Sequence, residues 1–297
     1  MSSTIETAAV QMGLKVAADT RPLVGPKILL MGPSGTGKTY AIGTLTEWAK
    51  TNGKEVFVLF TENGLETLLG FWRDKDLPVP DCLHWHQQLT VSLSLTSLIE
   101  GADKVGKYTY KMLTEMQDVN RGGDSNSFWK ILTSCKDFKD DRTGKAFGAV
   151  DSFGADRIFV IDSLSELSTA AMKMQVGNKP MAAPQDYGVA QQYIISFLRL
   201  LTQGTNCTFA ITAHVDRILD PVSQTTKIMV KSAGKALADE IPQLFSDVIY
   251  TVREADKFYW DTAAFGVDSK TRSLGYRSKI EPNFALIMDL WKKRAAT

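Results

Sequence analysis

The residues "GPSGTGKT", Gly32 to Thr39, set a glycine, four residues and then Gly-Lys-Thr between an apolar run, "KILLM", and a helix-like segment, "KTYAIGTLTEWAKTNG". Glycines at this spacing let backbone amides turn inward around a phosphate, and a helix that starts there adds N–H groups with no partner of their own. The pattern therefore predicts a cradle made by Gly32, Pro33, Ser34, Gly35, Thr36, Gly37, Lys38, Thr39 and Tyr40 for the phosphates of a nucleotide, with ATP expected. Lys38 would place its ammonium on the β- and γ-phosphates, and the Thr39 hydroxyl would face Mg²⁺.

The metal needs a carboxylate as well, and in "RIFVID" four consecutive apolar residues deliver Asp162 to the end of a strand. Ligands of open α/β sheets bind at that edge, where Asp162 could hold Mg²⁺ through water or cap the following turn. Hydrolysis also asks for a group that orients and deprotonates water. Glu62, at the end of "EVFVLFTENG", is placed there on the expectation that its strand lies beside the cradle strand; Glu166 is the rival acid. "CTFAITAHVD" brings Thr212 and His214 to a further strand end, where a polar side chain could sense the γ-phosphate; His214 reads equally as a packed or exposed histidine. Cys82, His84 and His86 alternate along "DCLHWHQQ", but such close spacing with no second cluster makes a poor zinc site.

These groups must be positioned by a fold, and the pattern around them is alternating. The apolar runs "KILLMG", "EVFVLF", "RIFVID" and "CTFAITAH" are interleaved with helical segments such as "DYGVAQQYIISFLRLLTQG", which stops at Gly204. That order predicts an α/β domain with a mainly parallel sheet covered on both faces. After residue 237 short strand-like stretches, "DVIYTVRE", "KFYWDTAAFG" and "TRSLGYRSKI", predict antiparallel extension of the sheet. The expected organisation is an N-terminal arm over 1–25 that could contact another subunit, a core over 26–284 with an insertion at about 77–155, and a tail over 285–297.

Composition limits the function classes. The 297 residues carry 34 basic and 33 acidic side chains, a formal net charge of +1, so no global field draws nucleic acid and any polyanion must be met locally. Three scattered cysteines fit a reducing compartment. No run reaches the roughly 18 apolar residues of a membrane span, and a cytoplasmic protein with no membrane partner is expected.

The ordered set "GPSGTGKT", "TENG", "VIDSLSELSTAA", "QDYG", "TAH", "GKALADEIPQLFSDVIYTVRE" and "TRSLGYRSKIEPNF" resembles the RecA-like P-loop ATPase core, and most of all the phage Sak-type ATPases of single-strand annealing and recombination. The resemblance covers most of residues 27–284. It implies an ATPase, stimulated by single-stranded DNA and assembled as a homo-oligomeric filament or ring, that promotes annealing. It also implies a bacterial host cytoplasm if phage-encoded, and a single-stranded-DNA-binding protein as a candidate partner. With no further C-terminal domain expected after "WKKR", full strand exchange is not implied.

Carried onto this chain, the first DNA loop would be 173–186, with Lys173 and Lys179, and the second 215–233, with Arg217, Lys227 and Lys231. Arg277 and Lys279, two apart and so on one face of a strand, would reach the γ-phosphate held by a neighbouring subunit. Two other readings use the same cradle: an AAA+-type replication loader or remodelling ATPase, and a small-molecule kinase.

Overall fold

The structure, a computed structural model, describes residues 24–89, 95–107, 109, 111–112, 126–177, 182–219 and 225–295. Residues 1–23 of the expected N-terminal arm and Lys179 lie outside these residues. Strands β1 (Lys27–Met31), β2 (Glu55–Phe60), β4 (Arg157–Asp162) and β5 (Thr208–Ala213) form the parallel centre of one sheet. The sheet is extended by β3 (Leu83–Gln87) at one edge and by β8 (Asp247–Glu254) and β9 (Lys257–Asp261) at the other. Its strand order is β3-β2-β4-β5-β1-β8-β9, parallel throughout except for the β8–β9 hairpin. This is the expected α/β class, a mainly parallel sheet flanked by helices and ending in an antiparallel strand.

The period-two alternation of each strand explains the two layers. Leu29, Met31, Phe57, Leu59, Phe159 and Ile161 face one core, with α4 (Ser127–Lys136), α5 (Leu164–Val176) and α6 (Pro184–Gln203) over them. Ile28, Leu30, Val56, Val58, Ile158 and Val160 face the other, under α1 (Lys38–Thr51) and α2 (Leu65–Arg73). Strands apolar on both sides cannot present either face to water, so helices on both faces are required. Among the described residues no helix is long and apolar enough to cross a membrane.

Three expectations change here. The stretch read as an insertion is partly integral: β3 completes the sheet edge, and α4 packs its buried Phe128 and Ile131 into the first core. In α3 (Leu95–Gly106) the side chains of Leu95 and Ile99 are exposed. After the short helix α7 (Lys235–Glu240), the expected C-terminal tail is α8 (Ala285–Ala295), which buries Ile287 and Met288 against the second core and accepts the Trp48 indole N–H on Asp289 Oδ1 at 2.7 Å. "TRSLGYRSKI" is not a strand, because the Asp247 carboxylate gathers the backbone amides of Arg272 and Ser273 and the Thr271 hydroxyl into turns instead.

Candidate active site

The loop after β1 is preformed. Gly35 and Gly37 take φ of 72° and 80°, the left-handed region that side chains disfavour. Gly32 is pressed against Thr251 of β8, leaving no space for a Cβ. Thr36 closes the turn, donating to Pro33 O at 2.8 Å and lying 2.6 Å from the Thr251 hydroxyl. No side chain caps the head of α1, so its first amides point into a cavity of about 390 Å³ lined by residues 34–40 together with Glu62, Asn63, Thr67 and His214. Uncapped amides at a helix N-terminus are the donor set that an anion satisfies.

Lys38 is folded back into this loop, donating to Gly32 O at 2.9 Å and Pro33 O at 2.7 Å. Burial lowers its pKa to about 8, against the pull of the Asp162 and Glu62 carboxylates. A triphosphate would restore the counter-charge that the ammonium lacks.

Asp162, fully buried at the end of β4, accepts the Thr39 hydroxyl at 2.8 Å and the Thr212 hydroxyl from the end of β5. Burial pushes its carboxyl pKa up, a shift that both hydroxyls oppose. Thr39 and Asp162 supply hard oxygen donors beside a phosphate cradle, the kind of set that binds Mg²⁺ together with the nucleotide's own oxygens. The metal would neutralise charge on the β- and γ-phosphates. Among the described residues no cluster of three or more His, Cys, Asp or Glu could hold a metal ion.

Glu62 does not lie on the strand beside the cradle strand. Between β2 and β1 stand β4 and β5, in the order β2-β4-β5-β1. Glu62 still lines the cradle cavity, because the ends of β2 and β4 are clamped together: Thr61 Oγ1 donates to Ser163 O and accepts from Ser163 N, each at 2.9 Å. Across the cavity His214 Nε2 lies 3.4 Å from Glu62 Oε2. Burial pushes the Glu62 carboxyl up, but His214 and the Lys38 charge outweigh it and hold the pKa below the ordinary value. An ionised carboxylate thus faces the cradle, with an imidazole to receive or orient it. Glu166 is on α5, in its first turn, and does not line this cavity.

A second cavity of about 470 Å³ adjoins the first and shares Gly37 and Tyr40 with it. Phe258, Tyr259, Phe71 and Pro282 give it aromatic and apolar walls, so the paired cavities offer a polar end for phosphates and a flat apolar end for a base.

A family model described as an AAA domain, AAA_24, matches residues 25–276. The chain belongs to this family. Its core is a P-loop ATPase core, and the match spans the cradle, Asp162, Glu62 and His214. No curated protein matches the chain. Among solved structures, the flagellar accessory protein FlaH from Methanocaldococcus jannaschii is similar at 11% identity and a TM-score of 0.36, over 80% of this chain and 76% of that one.

In this AAA-domain protein the cations proposed from sequence separate into free and engaged groups. The segment 215–233 is largely a hairpin, β6 (Val215–Leu219) with β7 (Thr226–Val230), rather than an open loop. Lys227 is tied to Asp239 at 2.7 Å and Asp268 at 3.1 Å, which raises its pKa and removes it from the free cations. Arg217 and Lys231 are exposed. Lys173 sits on the last turn of α5, not in a loop. Lys279 takes a φ of 56°, pairs with Glu254 at 2.6 Å and borders the cavity next to its own chain's cradle, while Arg277 is exposed nearby. The two do not share a strand face. His84 and His86 meet carboxylates, Asp140 at 3.5 Å and Asp141 at 2.7 Å, and so tie the segment after α4 to edge strand β3.

Four positions escape a reading by motif. Thr61 makes the clamp just described. Gly64 has no room for a side chain, since a Cβ would strike Asp162 Oδ2 and come within 2.9 Å of the Phe60 ring. Thr251 braces the cradle from β8. Ser165 accepts His214 N–H at 3.0 Å and donates to Lys231 O at 3.4 Å, joining the cradle face to the hairpin base. For Gly64 a signal was present, in the glycine that follows the strand-ending "TEN"; the other three depend on contacts between distant segments.

Proposed function

We propose that this ATPase binds single-stranded DNA and couples ATP hydrolysis to annealing or recombination, working as a homo-oligomer. One observation carries the reading. The exposed cations Arg217 and Lys231 belong to a hairpin that starts at His214, and Lys231 N–H donates to His214 O at 2.9 Å while Ser165 bonds both residues. A change at the γ-phosphate face that moves His214 therefore moves a basic surface suited to a phosphodiester backbone. Lys38 and Thr39 bind the nucleotide and its metal, and Glu62 with His214 acts on water. The test is steady-state ATP turnover with no DNA, with duplex and with single-stranded DNA. Stimulation by single strands alone is expected, and equal rates in all three would refute the coupling.

The trans role falls to Arg277, which has no acidic partner among the described residues. Mixing Arg277→Ala chains with Lys38→Ala chains should restore turnover that neither has alone; a fully active Arg277→Ala protein would end that assignment. A replication loader of the AAA class is the second reading, favoured by the family description. Against it, the described residues after β8 form a strand, turns and the single helix α8, which packs on α1 rather than building a helical lid.

A further inference from the structure

The basic surface next to the hairpin is not flat. A cavity of about 370 Å³ opens between α5, the start of α6 and the turn at 231–234. Lys173 and Lys231 line it, neither with an acidic partner among the described residues, and no carboxylate does. Its apolar wall is Met172, Val176 and the ring of Tyr187, which is 42% exposed. Ser168 also lines it, 3% exposed, and its hydroxyl has no hydrogen-bond partner. In a helix such a hydroxyl ordinarily returns to the carbonyl four residues back, as Thr169 does to Ser165 O at 3.0 Å. A buried hydroxyl left unpaired is costly, so this one is available to hydrogen-bond a polar atom that enters the cavity.

The wall is also fixed. Gln191 Nε2 donates to Ala233 O at 2.7 Å, and Gly234 takes φ 91°, a backbone conformation that a side chain would strain.

We propose that this cavity holds one nucleotide unit of the single strand, its base against Tyr187, its phosphate between Lys173 and Lys231, and the Ser168 hydroxyl bonded to it. The inference rests on the single-stranded DNA reading and adds a base-dependent contact to it. Two cations without a carboxylate select an anion, and a phenol ring beside aliphatic side chains selects a flat apolar group; a nucleotide joins the two. Base faces in a duplex are already stacked on their neighbours, so Tyr187 can serve only an unstacked strand.

The experiment measures binding of the full chain, with a non-hydrolysable ATP analogue, to an oligothymidine and to an abasic deoxyribose-phosphate oligomer of equal length and charge. The wild type should prefer the thymidine strand by roughly 5- to 100-fold, the range of one base–aromatic stack. Tyr187→Phe should keep that preference, Tyr187→Ala should lose it, and Ser168→Ala should weaken thymidine binding. Equal affinity of the wild type for both strands, or a preference that survives Tyr187→Ala, would overturn the cavity assignment while leaving the DNA-binding reading in place. Failure of the wild type to bind either strand would overturn that reading, and this inference with it.

Discussion

In the nucleotide-free protein the buried Lys38 ammonium carries an electrostatic cost that a pH titration can expose. Lys38 is 6% exposed and held by two carbonyls, and its pKa falls from 10.5 to about 8 through burial. Between those values the unfolded chain keeps a proton that the folded chain has released, so the stability of the nucleotide-free protein rises with pH. Below pH 8 both states are protonated and the cost is fully present. At about 1.4 kcal/mol per pH unit, the whole shift corresponds to on the order of 3 kcal/mol, of which about 2 kcal/mol falls between pH 8 and 10. Burial lowers the pKa of Lys27 and Lys270 as well, so the wild type is compared with Lys38→Met, which keeps both. Urea unfolding of both at pH 7, 8, 9 and 10 should show the difference moving in favour of the wild type by about 2 kcal/mol from pH 8 to 10. A saturating ATP analogue supplies phosphate charge and should remove the rise from the wild type. Parallel pH profiles for the two nucleotide-free proteins would refute the claim that the ammonium is desolvated in the cradle.

Glu62→Gln is expected to keep equilibrium ATP binding while turnover falls by roughly 10²- to 10⁴-fold; undiminished turnover would reopen Glu166. Gly64→Ala should destabilise the fold by about 1–3 kcal/mol and weaken the Mg²⁺ dependence of nucleotide binding, because the new methyl displaces the Asp162 carboxylate. Gly70→Ala, in α2 with nothing within 4 Å of a Cβ, is its control and should stabilise slightly by thermal unfolding. Ser165→Ala should leave DNA-free turnover unchanged but cut the stimulation by single strands roughly fivefold or more; full stimulation would show that His214 and the hairpin communicate by another route.

The sequence by itself determined the kinds of element and which ends carry polar groups. Apolar runs with alternating faces need only a few consecutive residues to be recognised, and the α/β class, the glycine-lysine-threonine turn after β1 and the acid ending β4 all follow from such local patterns. Tertiary structure alone decided who meets whom. Glu62 reaches the cradle although β4 and β5 separate its strand from β1, because Thr61 clamps it to Ser163, 102 residues away. Lys227 looked as free as Lys231 until the fold brought Asp239 and Asp268 to it, and Arg277 with Lys279 lost their strand to the turns gathered by Asp247. The same folding left Ser168 buried and unpaired beside Tyr187, a pairing that no window of the chain contains. Strand order and side-chain partnership are set by the simultaneous packing of segments far apart in the chain, and a local pattern carries no record of which distant segment will fill its other side.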